Sequence, residues 1–228
     1  RLLLHRSPMF SAIFFDCDGV LINSESILRA FYIRRLAELG LKYEPEAYSK
    51  RFKGAAWPQF SALVEEEYRE KFGTPLPDGC FDSIKDETWA EYKRALTPTE
   101  GIATLLSALT LPKAVASNSG AASLERKLRH TGLLKHFDPH LLSLDHVARG
   151  KPAPDMFLLA AERLGAAPAD CLVIEDSTTG VTAATKAGMT SWGYVGESGG
   201  DADLPEMLRD AGASEIFAHH DEIRERLV

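Results

Sequence analysis

The sequence predicts an α/β fold, a doubly wound and mostly parallel sheet into which an all-helical segment is inserted. Three features predict it. Short apolar runs of strand length recur along the chain, with little of the alternation that a half-exposed strand would show, as suits strands covered on both faces. Amphipathic segments with helical spacing lie between them, the alternation of a sheet wound with helices on both sides. One long stretch, from Ser24 to about Ala95, breaks the alternation and reads as helices alone.

The first strand is expected at Ala12–Asp16, where four apolar residues run straight into "DCDG". The helical stretch follows. Ile27, Leu28, Phe31, Leu36 and Leu39 fall near helical spacing before Gly40, Phe60, Leu63, Val64, Tyr68 and Phe72 do so before Gly73, and Phe81–Leu96 makes a third candidate. The second strand is expected at Lys113–Ser117 and leads into a helix at Ala121–Thr131 that Gly132 closes. A third strand at Leu141–Leu144 precedes a helix at Asp155–Leu164 closed by Gly165. Further strands are expected at Cys171–Asp176, Ser191–Val195 and Glu215–Phe217. The domains read as a Rossmann-like core of residues 9–23 and 96–228 and a helical insert of residues 24–95. An insert placed just after the first strand would sit over the carboxyl edge of the sheet, where ligands of open α/β sheets bind.

At 228 residues and 45% hydrophobic, the chain suffices for one good-sized core with a smaller companion. A formal net charge of -7 argues against a broad nucleic-acid or anionic-membrane surface, which needs an excess of Lys and Arg. Cys17, Cys80 and Cys171 are odd in number and widely spaced, so they read as reduced thiols of a cytoplasmic protein. Residues 1–8 read as an extension too short in apolar length for a signal peptide or membrane span, with Met9 a candidate natural start. Oligomeric state is open.

The carboxyl ends of four successive strands carry chemistry. The first gives Asp16 and Asp18, the second Ser117 and Asn118 in "ASNSG", the segment after the third Lys151 in "RGKPAPD", and the fourth Glu175 and Asp176 in "VIEDST". Carboxylates at a buried strand end are costly unless paired, and a metal ion with a lysine answers that cost. No "GxxxxGK[ST]" or "GxGxxG" occurs, so neither ATP nor NAD is implied.

This constellation resembles the haloacid dehalogenase superfamily in order and spacing, from Asp-x-Asp-Gly-Val at Asp16–Val20 through Ser117 and Lys151 to the acidic pair. "TGVTAATKAGM" after that pair, with the helical insert, is similar to the subgroup with a small helical cap that includes sugar-phosphate phosphatases and beta-phosphoglucomutase. The resemblance implies a phosphatase acting on a small phosphorylated metabolite, with a sugar phosphate the first candidate. Asp16 would be the nucleophile that forms an aspartyl-phosphate, and Asp18 the acid and then the base. Mg²⁺ would be held by Asp16, the Asp18 carbonyl, Asp176 and Glu175. Ser117, Asn118, Lys151 and backbone N–H groups near Gly19 would bind the phosphoryl oxygens. With a phosphate dianion and three carboxylates set against one Mg²⁺ and one lysine, repulsion predicts that Asp18 starts as the protonated acid.

Two rivals use the same core. A phosphosugar mutase of the beta-phosphoglucomutase kind would be expected to carry a histidine where Leu28 stands and an arginine where Trp57 stands, unless Arg51 serves instead. A phosphorylated signalling switch would not need Asp18 or the insert. Arg51, Lys53 and Trp57 in the loop "RFKGAAWPQF" are the candidate substrate-selecting residues.

Overall fold

The computed structural model describes residues 10–52, 57–198 and 201–228. In chain order, β1 (Ala12–Phe15) is followed by four helices, α1 (Ser24–Glu38), α2 (Pro45–Phe52), α3 (Trp57–Phe72) and α4 (Cys80–Ala95). Then come α5 (Ile102–Ala108), β2 (Lys113–Ser117), α6 (Ala121–His130), β3 (Leu141–Ser143) and α7 (Asp155–Leu164). The chain ends with β4 (Cys171–Glu175), α8 (Thr178–Lys186), β5 (Thr190–Tyr194), α9 (Leu204–Ala211), β6 (Glu215–Phe217) and α10 (His220–Leu227). Two compact units result, residues 24–96 and the remainder.

In the larger unit the six strands form one sheet in the order β3-β2-β1-β4-β5-β6, every neighbouring pair parallel. Parallel strands need covering on both faces, and the run AIFF meets that demand with four fully buried residues. Ala12 and Phe14 pack on one face with Ala114, Ala116, Cys171 and Val173 from neighbouring strands and with Met156 and Phe157 of α7. On the alternate positions, Phe15 meets Phe137 edge-on at 5.9 Å. The strand order reverses direction between β1 and β4, so the residues just beyond these two strands flank the crevice at the switch point.

A tight turn follows β1. Gly19, at φ 81°, lets its N–H reach the Ile22 carbonyl at 2.9 Å, and the Leu21 N–H returns to Cys17 at 3.0 Å. Ile22 then bridges Pro98, and the Thr97 N–H donates to the Asn23 side chain at 2.9 Å, so the outgoing and returning segments are tied together. His220, at the start of α10, buttresses this junction. Its Nε2 lies 2.9 Å from the Val20 carbonyl and 3.0 Å from the Thr99 hydroxyl, while its ring stacks on Tyr194.

The smaller unit is built from aromatic packing. Leu36, Leu41, Tyr48, Phe52, Phe60, Val64 and Leu76 form its core, flanked by Tyr32, Tyr43, Trp57 and Phe81. The helix α2 is an element the apolar spacing did not announce. Only Tyr48 and Phe52, one turn apart, are buried in its eight residues, too few to establish a period.

Candidate active site

Asp16, the first residue past β1, and Glu175, the last of β4, are brought side by side because β1 and β4 pair in parallel register, Phe15 opposite Ile174. Lys151 reaches between them. Its Nζ donates to Asp16 Oδ1 at 2.5 Å, to Glu175 Oε1 at 2.5 Å and to the Ala116 carbonyl at 2.6 Å, which uses all three of its donors. The other Glu175 oxygen accepts from the Ser177 hydroxyl at 2.9 Å, and Ser177 in turn caps α8 by accepting from the Gly180 N–H at 3.0 Å. Glu175 is wholly buried, and a Cβ on Gly180 would lie 1.9 Å from its carboxyl group, so glycine is the residue that leaves room for the acid.

Burial is the main influence on Asp16 and lifts it from 3.8 to about 7; Lys151 opposes the rise and Glu175 and Asp18 add to it. Burial pulls Lys151 down, but the two carboxylates outweigh it and hold the ammonium well above its ordinary range. Asp16, Glu175 and Asp176 can each offer one oxygen within 4.8 Å of the others. Three carboxylates against one lysine leave an excess of negative charge, and the donors are hard oxygens, so the trio fits a divalent cation such as Mg²⁺. Cys17, buried between the two aspartates, is held far above the usual thiol range, first by burial and then by Asp18, and is inert.

Three of the expected phosphate ligands also have partners within the protein. The carboxamide of Asn118 is committed to the backbone of Lys151, donating to its carbonyl at 3.1 Å and accepting from its N–H at 2.9 Å. Its side chain therefore fixes the lysine loop with its oxygen and one of its two N–H donors. The Gly19 N–H is likewise taken by Ile22. Lys151 spends its donors on Asp16 and Glu175. Ser117, buried at the end of β2, accepts from the Ser119 N–H at 3.1 Å and keeps its own proton for a ligand.

Two residues that sequence reasoning missed stand beside Asp18. Lys127 of α6 donates to both Asp18 oxygens at 2.6 Å, and the Ser119 hydroxyl donates to one of them at 3.1 Å. Lys127 thus supplies a positive charge that the sequence-based charge balance around Asp18 left out, and a cation on both oxygens favours the carboxylate, against the expectation that Asp18 starts protonated. A signal existed: Lys127 lies at helical spacing between Leu124 and Leu128, on a face that is otherwise apolar.

In the helical unit, the Arg51 guanidinium pairs with Glu67 at 2.8 Å, and Tyr43 donates to the same carboxylate. The Trp57 ring packs 5.5 Å from Phe60 and 5.9 Å from Phe81. Both are engaged in holding that unit together. Lys53, the third residue expected to select substrate, lies outside the described residues.

A family model described as haloacid dehalogenase-like hydrolase matches residues 10–188. The 6-phosphogluconate phosphatase of Escherichia coli strain K12 is 30% identical over 178 residues, spanning 78% of this chain and 79% of the relative. The fructose-1-phosphate phosphatase YqaB of the same organism is 30% identical over 184 residues, 79% of this chain and 94% of the relative. Among solved structures, a HAD family hydrolase of Deinococcus radiodurans R1 with bound phosphate and sodium superimposes with a TM-score of 0.85 at 33% identity, covering 97% of this chain and 96% of that one.

Proposed function

The chain belongs to the haloacid dehalogenase-like hydrolases and is a phosphatase of that family; from this premise we propose that it hydrolyses a small phosphorylated metabolite, with a sugar phosphate the first candidate, through an aspartyl-phosphate on Asp16. The observation that carries the reading is the convergence of Asp16, Glu175 and Asp176, the first two bridged by Lys151, with Asp18 two residues from the nucleophile.

Asp18, paired with Lys127 but open on one side, first takes up a proton from solvent; an oxygen of Asp16 then attacks phosphorus, the bond from phosphorus to the ester oxygen breaks, and that oxygen takes the proton from Asp18 as the alcohol leaves. Asp18, now a carboxylate, accepts a proton from water as the water oxygen attacks phosphorus; the bond to Asp16 breaks and inorganic phosphate departs. Lys151 holds Asp16 in place and offsets the charge gathered at the sheet edge, while Ser117 donates to a phosphoryl oxygen. Mg²⁺ would be held by Asp16, Glu175, Asp176 and the Asp18 carbonyl, and would supply charge neutralisation there. Asn118 acts through Lys151, whose loop it fixes.

The helical unit is assigned the choice of ester, through Arg51 of α2, Trp57 of α3 and Lys53 between them in sequence. For Arg51 this means giving up Glu67, which also disfavours the mutase reading that would use Arg51 to grip a second phosphate. Three free thiols suit a reducing compartment, the cytoplasm, and no helix of the described residues is long and apolar enough to cross a membrane.

The test is release of inorganic phosphate from a panel of phosphorylated metabolites, sugar phosphates first, with Mg²⁺ or with EDTA. We expect metal-dependent release that Asp16→Asn lowers at least about a thousandfold. No release from any ester, with stable phosphorylation of Asp16 by a small phosphodonor, would replace this reading with the switch or the mutase.

A further inference from the structure

Lys127 stands where an apolar side chain would be the cheaper choice. It shares the inward face of α6 with Leu124 and Leu128 and is only 3% exposed. An ammonium is kept in such a place at a desolvation cost, and here it is fully engaged: Nζ donates to Asp18 Oδ1 and Oδ2 at 2.6 Å each and to Ser119 Oγ at 2.9 Å. Ser119 closes the triangle by donating to Asp18 Oδ2 at 3.1 Å. Asp18 itself keeps 26% of its side chain open.

The ion pair is not what shapes the turn that carries Asp18. That backbone is already fixed by the Gly19 N–H on Ile22 and the Leu21 N–H on Cys17. What the lysine adds is the direction of the carboxyl group, because a cation contacting both oxygens fixes the side-chain torsions that the turn leaves free. We propose that Lys127, assisted by Ser119, is a positioning residue that aims Asp18 at the leaving-group oxygen. The proposal rests on the phosphatase reading above, in which Asp18 is the acid.

Leaving-group chemistry tests it. A sugar phosphate or other alkyl ester needs a proton on its departing oxygen, whereas p-nitrophenyl phosphate releases a stable phenolate without one. kcat/KM reports the steps up to loss of the alcohol, so it isolates the acid from the later hydrolysis by water. Lys127→Met is expected to lower kcat/KM for the alkyl ester at least about 30-fold and for the aryl ester less than about 3-fold. Lys127→Arg, which keeps the charge, should recover part of the alkyl-ester rate. In an Asp18→Asn background Lys127→Met should cost less than about 2-fold more, as two residues acting as one unit do.

Equal losses on both esters, no loss on either, or a full additional loss in the Asp18→Asn background would overturn the proposal. Should Lys127→Met not fold, Ser119→Ala carries the same comparison, with a smaller selective loss expected. If wild type cleaves neither ester, the phosphatase reading has failed, and a crystal structure of the Lys127→Met or Ser119→Ala variant decides the positioning claim alone. An Asp18 carboxyl group that turns away supports it, and one that stays in place overturns it.

Discussion

The two units hold themselves together by different means. At the carboxyl edge of the sheet, charges lie buried and paired, with Lys151 between Asp16 and Glu175 and Lys127 on Asp18. In the helical unit, the interior is aromatic and aliphatic, and among the described residues each ion pair keeps at least one partner well exposed, as with Arg69 and Glu65 one turn apart. The difference teaches where function constrains composition. An apolar interior can be rebuilt from other apolar residues of similar volume, whereas each member of a buried charge network is needed for the others to be tolerated.

The comparison breaks most visibly at Lys151. Replacing it with Met strands two buried carboxylates, and we expect a loss of about 4 kcal/mol in unfolding free energy by urea denaturation. A loss below about 1 kcal/mol would mean that water or an ion satisfies the acids and that the edge is less dry than its geometry. In the other unit, Phe60→Ala removes a ring shared by Tyr32, Phe52 and Trp57 and should cost about 3 kcal/mol. Amide exchange should locate that loss within residues 24–96, leaving the protection of β1 and β4 unchanged.

A third prediction concerns pH. Burial holds His220 down at about 4 from 6.5, the hydrogen bond to Val20 opposing only in part, and its Nδ1 has no partner to receive a proton's charge. The unfolded chain takes up a proton near pH 6.5 while the folded chain stays neutral to about 4. This contribution is therefore complete above pH 6.5 and is lost as the pH falls toward 4, by about 3 kcal/mol in all. Thermal melts across this range should show the decline in wild type and a flatter profile in His220→Gln; identical profiles would remove the histidine from the account. The smallest effect is expected on the exposed surface, where Arg69→Ala should change stability by no more than about 0.5 kcal/mol. A larger cost would show that the helical unit also depends on its charges.

Much of the core is legible in the sequence because its signals are local. A run such as AIFF carries the demand for two-sided burial in four consecutive residues, and the acids at the ends of β1 and β4 are fixed there by chain connectivity alone. The short α2 and the commitments of Arg51 and Trp57 were less legible. An apolar or basic residue in a short helical segment carries no mark of which neighbour it will meet.

By itself, then, the sequence determined the parallel sheet, the helical insert and the set of acids, lysine and serine at one edge, because periodicity and strand ends depend on neighbours along the chain. Only the tertiary structure decided the partners. Lys127 meets Asp18 across 109 positions of sequence, and Asn118 turns its amide to the backbone of Lys151 across 33. Such pairings are chosen by which groups the packed sheet leaves without water, a property of the folded interior that no short stretch of chain contains.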